Sequence, residues 1–130
     1  MKNNGIIDDF LKKENTFAVV GVSRDSDKYG YKVWKDLKNS GYTVYPINPK
    51  TSVMEGEKCY SSLEDLPQKP DVVDIAVPPQ ITEKIVEQCK KIGVEKVWMQ
   101  PGSESEEAID FCERNNIDVL HGMCVMRGLK

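Results

Sequence analysis

Short apolar runs alternate along this chain with stretches whose apolar residues recur at helical spacing, and few architectures satisfy that alternation. Phe17-Ala18-Val19-Val20 is apolar on both faces, as a strand inside a covered parallel sheet must be. Four further strands are expected at Thr43 to Ile47, Val72 to Val77, Val94 to Met99 and Ile117 to Leu120. Pro46 fits its strand poorly, because it cannot donate to a ladder. Between the strands, Val33, Trp34 and Leu37 form a helical stripe that stops at Gly41. Ile81, Ile85, Val86, Cys89 and Ile92 form another that stops at Gly93, and Ala108, Ile109 and Cys112 a third. The last helix opens on Ser103-Glu104-Ser105-Glu106, a capping-box pattern. A short helix at Ser62 to Asp65 ends before Pro67, and Ile6, Ile7, Phe10 and Leu11 mark an amphipathic helix within residues 1–15. The expected fold is α/β: a doubly wound, five-stranded parallel sheet with helices on both faces and right-handed crossovers.

A chain of 130 residues fits a single domain spanning 1–130, and its 39% hydrophobic and 30% charged residues suit a globular fold. The net charge of −3 argues against a nucleic-acid partner. No apolar run approaches the ~20 residues of a spanning helix, and the first residues lack a signal-peptide core. Cys59, Cys89, Cys112 and Cys124 make no CxxC pair, and with one histidine they offer no obvious zinc set. They read as reduced thiols, so the expected location is cytoplasmic, with no membrane partner.

The unusual residues fall immediately after the strands: Gly21-Val22-Ser23-Arg24, Asn48-Pro49-Lys50, Pro78-Pro79, Gln100-Pro101-Gly102 and His121-Gly122-Met123-Cys124. In a doubly wound sheet these loops share one edge, where ligands bind at the topological switch point. Turn chemistry accounts for Gly102 and the prolines, but less well for Ser23, Arg24, Asn48, Lys50 and Gln100. A dinucleotide fingerprint is broken, because Ser23 and Ser26 stand where glycines belong and Asn48 replaces the ribose-binding acid. A phosphate-bearing ligand still fits. Backbone N–H groups of the Ser23–Gly30 loop can cradle a diphosphate, and Arg24, Lys28 and Lys50 can neutralise phosphates.

Several segments, in this order and spacing, resemble the stand-alone CoA-binding-domain family, which is related to the N-terminal domain of the succinyl-CoA synthetase α subunit. They are Ala18 to Arg24, Lys28-Tyr29-Gly30-Tyr31, Val44 to Lys50, Asp65-Leu66-Pro67, Asp71 to Asp74, and Val97 to Gly102. The resemblance implies a five-stranded Rossmann-type sheet with coenzyme A as ligand. It implies that Gly21, Val22 and Ser23, with Lys28, Tyr29 and Gly30, line the phosphate loop. Asn48, Pro49 and Lys50 are then expected beside the adenosine and its 3′-phosphate, with Val77, Pro78 and Pro79 flanking the nucleotide. Gln100, Pro101 and Gly102 are expected on the pantetheine side, and Cys124 matches a cysteine that is family-like near the C-terminus.

Catalytic candidates are weaker. His121 is read as structural or solvated, and Trp34 and Trp98 as core. Asp71 and Asp74 are read as structural residues bracketing the start of the third strand, far from the ligand edge. Cys124 is read as inert, against the alternative of a thiol forming a mixed disulfide with coenzyme A or accepting an acyl group. With no acid–base or nucleophile–base pair, no reaction is assigned. The expected role is a carrier, sensor or regulatory module for CoA or acyl-CoA, as a homodimer or with a partner subunit. The alternatives are an NAD(P) oxidoreductase, one half of a split acyl-CoA ligase, or a purely structural partner protein.

Overall fold

Residues 2–129 are described by a computed structural model, and the alternation in the sequence becomes a three-layer Rossmann-like sandwich. Strands β1 (Thr16–Val20) and β2 (Thr43–Ile47) lie on one side of the sheet. A small hairpin, β3 (Val53–Met54) and β4 (Glu57–Lys58), follows. Then come β5 (Val72–Ile75), β6 (Lys96–Met99) and β7 (Asp118–Leu120). The main sheet runs β2-β1-β5-β6-β7, every neighbouring pair parallel. The chain leaves β1 for one edge and returns beside it as β5, so the switch point lies between those two strands.

Side-chain alternation divides the core in two. Phe17 and Val19 of β1, Val72 and Trp98 share one face with Phe10 of helix α1 (Lys2–Phe10) and with Trp34 and Leu37 of α2 (Tyr29–Asn39). Ala18, Val20, Val73, Ile75 and Met99 share the other with Val86 and Cys89 of α3 (Pro79–Ile92) and Cys112 of α4 (Glu106–Arg114). Trp34 and Trp98 are both fully buried, as expected of core residues.

Two strands start later than the apolar runs suggest, for one physical reason. Val94 and Ile117 are core residues, but each closes the preceding helix: Val94 N–H donates to the Cys89 carbonyl and Ile117 N–H to Cys112. The residues before them, Gly93 and Asn116, take left-handed backbone at φ 86° and 60°. Tyr42 closes α2 in the same way after Gly41. This helix-ending motif puts an apolar residue just beyond the turn, where it mimics the start of a strand. β5 likewise stops at Ile75, short of Val77.

Pro46 is accommodated because β2 is an edge strand. Its backbone faces away from β1, and its carbonyl accepts the Tyr60 N–H at 2.9 Å. The β3–β4 hairpin is absent from the sequence reading, which has only a connection there. Glu55 and Gly56 turn it, both with positive φ. The hairpin is clasped to α2 by Glu55 with Lys35 and Tyr31 and by Glu57 with Lys38. The expected capping box also shifts: the cap of α4 is Ser105, whose Oγ accepts the Ala108 N–H at 3.2 Å. Glu104 instead accepts from the Gly102 and Gly122 N–H groups, so it braces two loops.

Candidate functional site

Two glycines shape the switch point. Gly21 ends β1 at φ 103°, and a Cβ there would collide with the Ala76 carbonyl at the end of β5. A Cβ on Gly30 would collide with the Gly21 carbonyl, so the first turn of α2 rests directly on the loop. Asn48 braces the same region, its Nδ2 donating to the Val22 carbonyl at 2.7 Å and its Oδ1 accepting the Lys50 N–H at 2.8 Å. An aspartate would turn a carboxylate on the Val22 carbonyl, so asparagine is required where a dinucleotide site would carry an acid. Ser23 Oγ accepts the Asp25 N–H, and Asp25 in turn accepts the Asp27 N–H, which folds the rest of the loop back on itself.

These elements enclose a cleft of ≈ 570 Å³ at the C-terminal ends of β1, β2 and β5. Gly21, Val22 and Ser23 form one side, with Lys28, Tyr29 and Gly30 at the start of α2. Asn48 and Pro49 border it from β2, and Val77 and Pro78 from β5. Lys28 is the only charged residue in the lining. No side chain caps α2, so its first-turn N–H groups border the cleft without a side-chain acceptor from Lys28.

The other expected residues lie outside this space. Arg24 and Lys50 line a separate hollow of ≈ 390 Å³ that also contains Tyr31 and Glu55. Lys50 also borders a hollow of ≈ 600 Å³ with Lys58 and Ser52, which shares Pro49 and Ser61 with the cleft. Pro79 is the first residue of α3 but is not in the lining, nor are Pro101 and Gly102, which are exposed. Gln100 is fully buried and is not in the lining of the cleft. Cys124 is half-buried beside Tyr29, whose phenol is raised above its ordinary value first by burial and then by that thiol. His121 is exposed and outside the cleft.

Asp71 and Asp74 separate sharply. Asp71 stands before β5 and accepts the Thr16 N–H at 2.7 Å, the structural role expected. Asp74 follows the start of the strand, within β5, fully buried, with Oδ1 accepting from Gln100 Nε2 at 2.5 Å. Its Oδ2 has no partner, and burial pushes the carboxyl up to about 8. The periodicity placed it correctly in a run of strand residues, but only the fold shows that Gln100 reaches it.

Sequence reasoning also missed Ser61, Ser62 and Leu63, which close the cleft from the segment before the short 3₁₀ turn, and Ile81, Ile85 and Gln88 of α3. The signal for Ile81 was the width of its stripe: Thr82, Ile85, Val86 and Cys89 are buried, leaving Ile81 45% exposed at the mouth. Among the described residues no group of ligating side chains could hold a metal ion, and no helix is long and apolar enough to cross a membrane.

Residues 15–129 match the family described as CoA binding domain. The chain is 36% identical over 124 residues to an ADP-forming acetate–CoA ligase of Methanocaldococcus jannaschii, covering 89% of this chain and 18% of the ligase. It is 34% identical over 128 residues to the α subunit of ADP-forming acetate–CoA ligase II of Pyrococcus furiosus, covering 90% of this chain and 28% of that subunit. The chain thus spans less than a third of these ligase chains. Among solved structures, a hypothetical protein from Pyrococcus horikoshii superposes with TM-score 0.91 at 35% identity, covering 96% of this chain and 88% of that one.

Proposed function

The chain belongs to the CoA binding domain family, and from that premise we propose that it binds coenzyme A or an acyl-CoA in the cleft at the β1–β5 switch point, as a carrier, sensor or regulatory module. The observation that carries this reading is the cleft's composition: apolar walls, one lysine, no carboxylate, and uncapped N–H groups at the start of α2. The diphosphate is assigned to the Gly21–Ser23 turn and Lys28, where the two close-packed glycines let backbone approach the phosphates. The 3′-phosphate is assigned to the hollow lined by Lys50 and Lys58, which adjoins the cleft at Pro49 and Ser61. The pantetheine arm is assigned to the apolar side formed by Val77, Ile81 and Ile85. Calorimetric titration with coenzyme A, dephospho-CoA and NAD⁺ tests this. Saturable binding of coenzyme A, weakened without the 3′-phosphate, supports it; NAD⁺ binding in its place contradicts it.

A second reading has its own observation. The match includes a protein named as the α subunit of a ligase, which favours a chain that works with a separate subunit. Copurification from the native host with an ATP-dependent ligase subunit would support this reading; a chain that purifies alone and binds coenzyme A unaided favours the module.

A further inference from the structure

Beneath the cleft runs a polar chain that no ligand contact accounts for. Gln100 Nε2 donates to Asp74 Oδ1 at 2.5 Å, and both residues are fully buried. Gln100 Oε1 accepts two bonds, from the Tyr29 hydroxyl at 2.8 Å and from the Val125 backbone N–H at 3.1 Å. A backbone N–H can only donate, so the Val125 contact decides which end of the amide is oxygen. It follows that Tyr29 donates its proton inward and that Gln100 Nε2 needs the acceptor Asp74 provides. Reversing the amide would set donor against donor in a buried place, at more than the net worth of one bond. Of the side chains in this chain of bonds, only Tyr29 lines the cleft, 37% exposed at the first residue of α2.

We infer that Asp74 and Gln100 are positioning residues of the cleft, which fix the Tyr29 ring in its wall without themselves touching the ligand. The inference rests on reading the cleft as a coenzyme site. A tyrosine this exposed has rotamers open to solvent, and the anchor on its hydroxyl selects one. A wall set before binding removes an ordering cost from association. The same Gln100 oxygen holds Val125, so the cleft wall and the C-terminal turn Val125–Gly128 share one anchor.

The test measures coenzyme A affinity by calorimetry for wild type, Tyr29→Phe, Gln100→Met, the double variant, Asp74→Leu and its conservative counterpart Asp74→Asn. Fluorine spectra of each ligand-free protein carrying 3-fluorotyrosine are recorded in parallel, the Tyr29 signal being assigned by its loss in Tyr29→Phe. The inference predicts that Tyr29→Phe and Gln100→Met each weaken binding by up to about tenfold, the upper end of the cost of ordering one side chain on binding. The double variant should lose no more than either alone, because the two changes cut the same anchor. Asp74→Leu removes the acceptor for Gln100 and should weaken binding about as much as Gln100→Met, whereas Asp74→Asn, which keeps an acceptor, should recover most of that loss. Losses that multiply to about a hundredfold, or an unaltered affinity in Tyr29→Phe, would overturn the inference. Tyr29→Phe removes one partly exposed hydroxyl and decides the matter even if Gln100→Met does not fold. Wild-type protein that binds no coenzyme A refutes the coenzyme reading instead. The positioning claim is then settled by the Tyr29 fluorine signal, which should move in Gln100→Met and stay near wild type in Asp74→Asn; a signal unmoved by Gln100→Met overturns it.

Discussion

Replacing Asp74 with asparagine should change how stability depends on pH, and the size of the effect follows from where the carboxyl sits. The group is fully buried, accepts one hydrogen bond from Gln100, and leaves Oδ2 unpartnered. Burial raises it from 3.8 to about 8, against a smaller lowering by the Gln100 bond. The folded protein therefore holds a proton that the unfolded chain has already released across that window. The sign is fixed by this difference: the contribution is fully present below pH 3.8, falls as pH rises, and is gone above about pH 8. Each pH unit inside the window costs about 1.4 kcal/mol, which makes the whole loss on the order of 6 kcal/mol. That is comparable to the total stability of many domains. Asparagine has nearly the same shape, keeps an acceptor for Gln100 and does not ionise. Urea unfolding of both proteins at pH 5, 7 and 9 should show Asp74→Asn gaining on wild type at each step, with most of the gain complete by pH 8. Comparing the two proteins cancels the groups they share, including Tyr29, Cys124 and Glu104 around this network. Stability curves that run parallel from pH 5 to pH 9 would refute the reasoning, since they would mean that Asp74 ionises alike in the folded and unfolded chain.

Other expectations follow from the same geometry. Gly30→Ala should destabilise the fold by about 2 kcal/mol or more, read by urea unfolding, because its Cβ meets the Gly21 backbone carbonyl and not a side chain that can move. Lys28→Ala should weaken coenzyme A binding and flatten its salt dependence, since it removes the only charge in the cleft lining. Lys50→Ala should instead erase the preference for coenzyme A over dephospho-CoA in paired titrations. Of the four cysteines, only Cys124 is not buried, and burial raises the thiols of Cys59, Cys89 and Cys112, the last to about 12. Native protein should therefore show one fast thiol toward an aromatic disulfide reagent, lost in Cys124→Ser, with the other three reacting only on unfolding.

The parts of the fold that were legible in the sequence are those set by local periodicity. Phe17 to Val20 is apolar at every position because both faces of β1 are covered, and that run needs no knowledge of its neighbours. Strand ends were less legible, since Val94 and Ile117 are apolar for the sake of closing helices. The β3–β4 hairpin has strands of two residues and a Glu-Gly turn, too short to show alternation and lacking the usual Asn-Gly signal. At the cleft, Gly21 to Ser23, Lys28 to Gly30 and Asn48 to Pro49 could be anticipated because they follow strands or open a helix at the switch point. Arg24 and Lys50 shared that logic, yet the folded-back loop and the hairpin place them in a separate hollow. The Asp74–Gln100–Tyr29 chain could not be read at all. Its members stand 26 and 71 residues apart, and nothing local to any of them indicates the others.

The central claim is that coenzyme A occupies the cleft between β1 and β5, and amide chemical-shift mapping during titration with the coenzyme tests it most directly. The account predicts that the largest changes cluster at Gly21 to Gly30, Asn48, Lys50 and Val77 to Ile85, with α4 and the start of β7 undisturbed. Shifts centred elsewhere, or none at saturating coenzyme A, would contradict it.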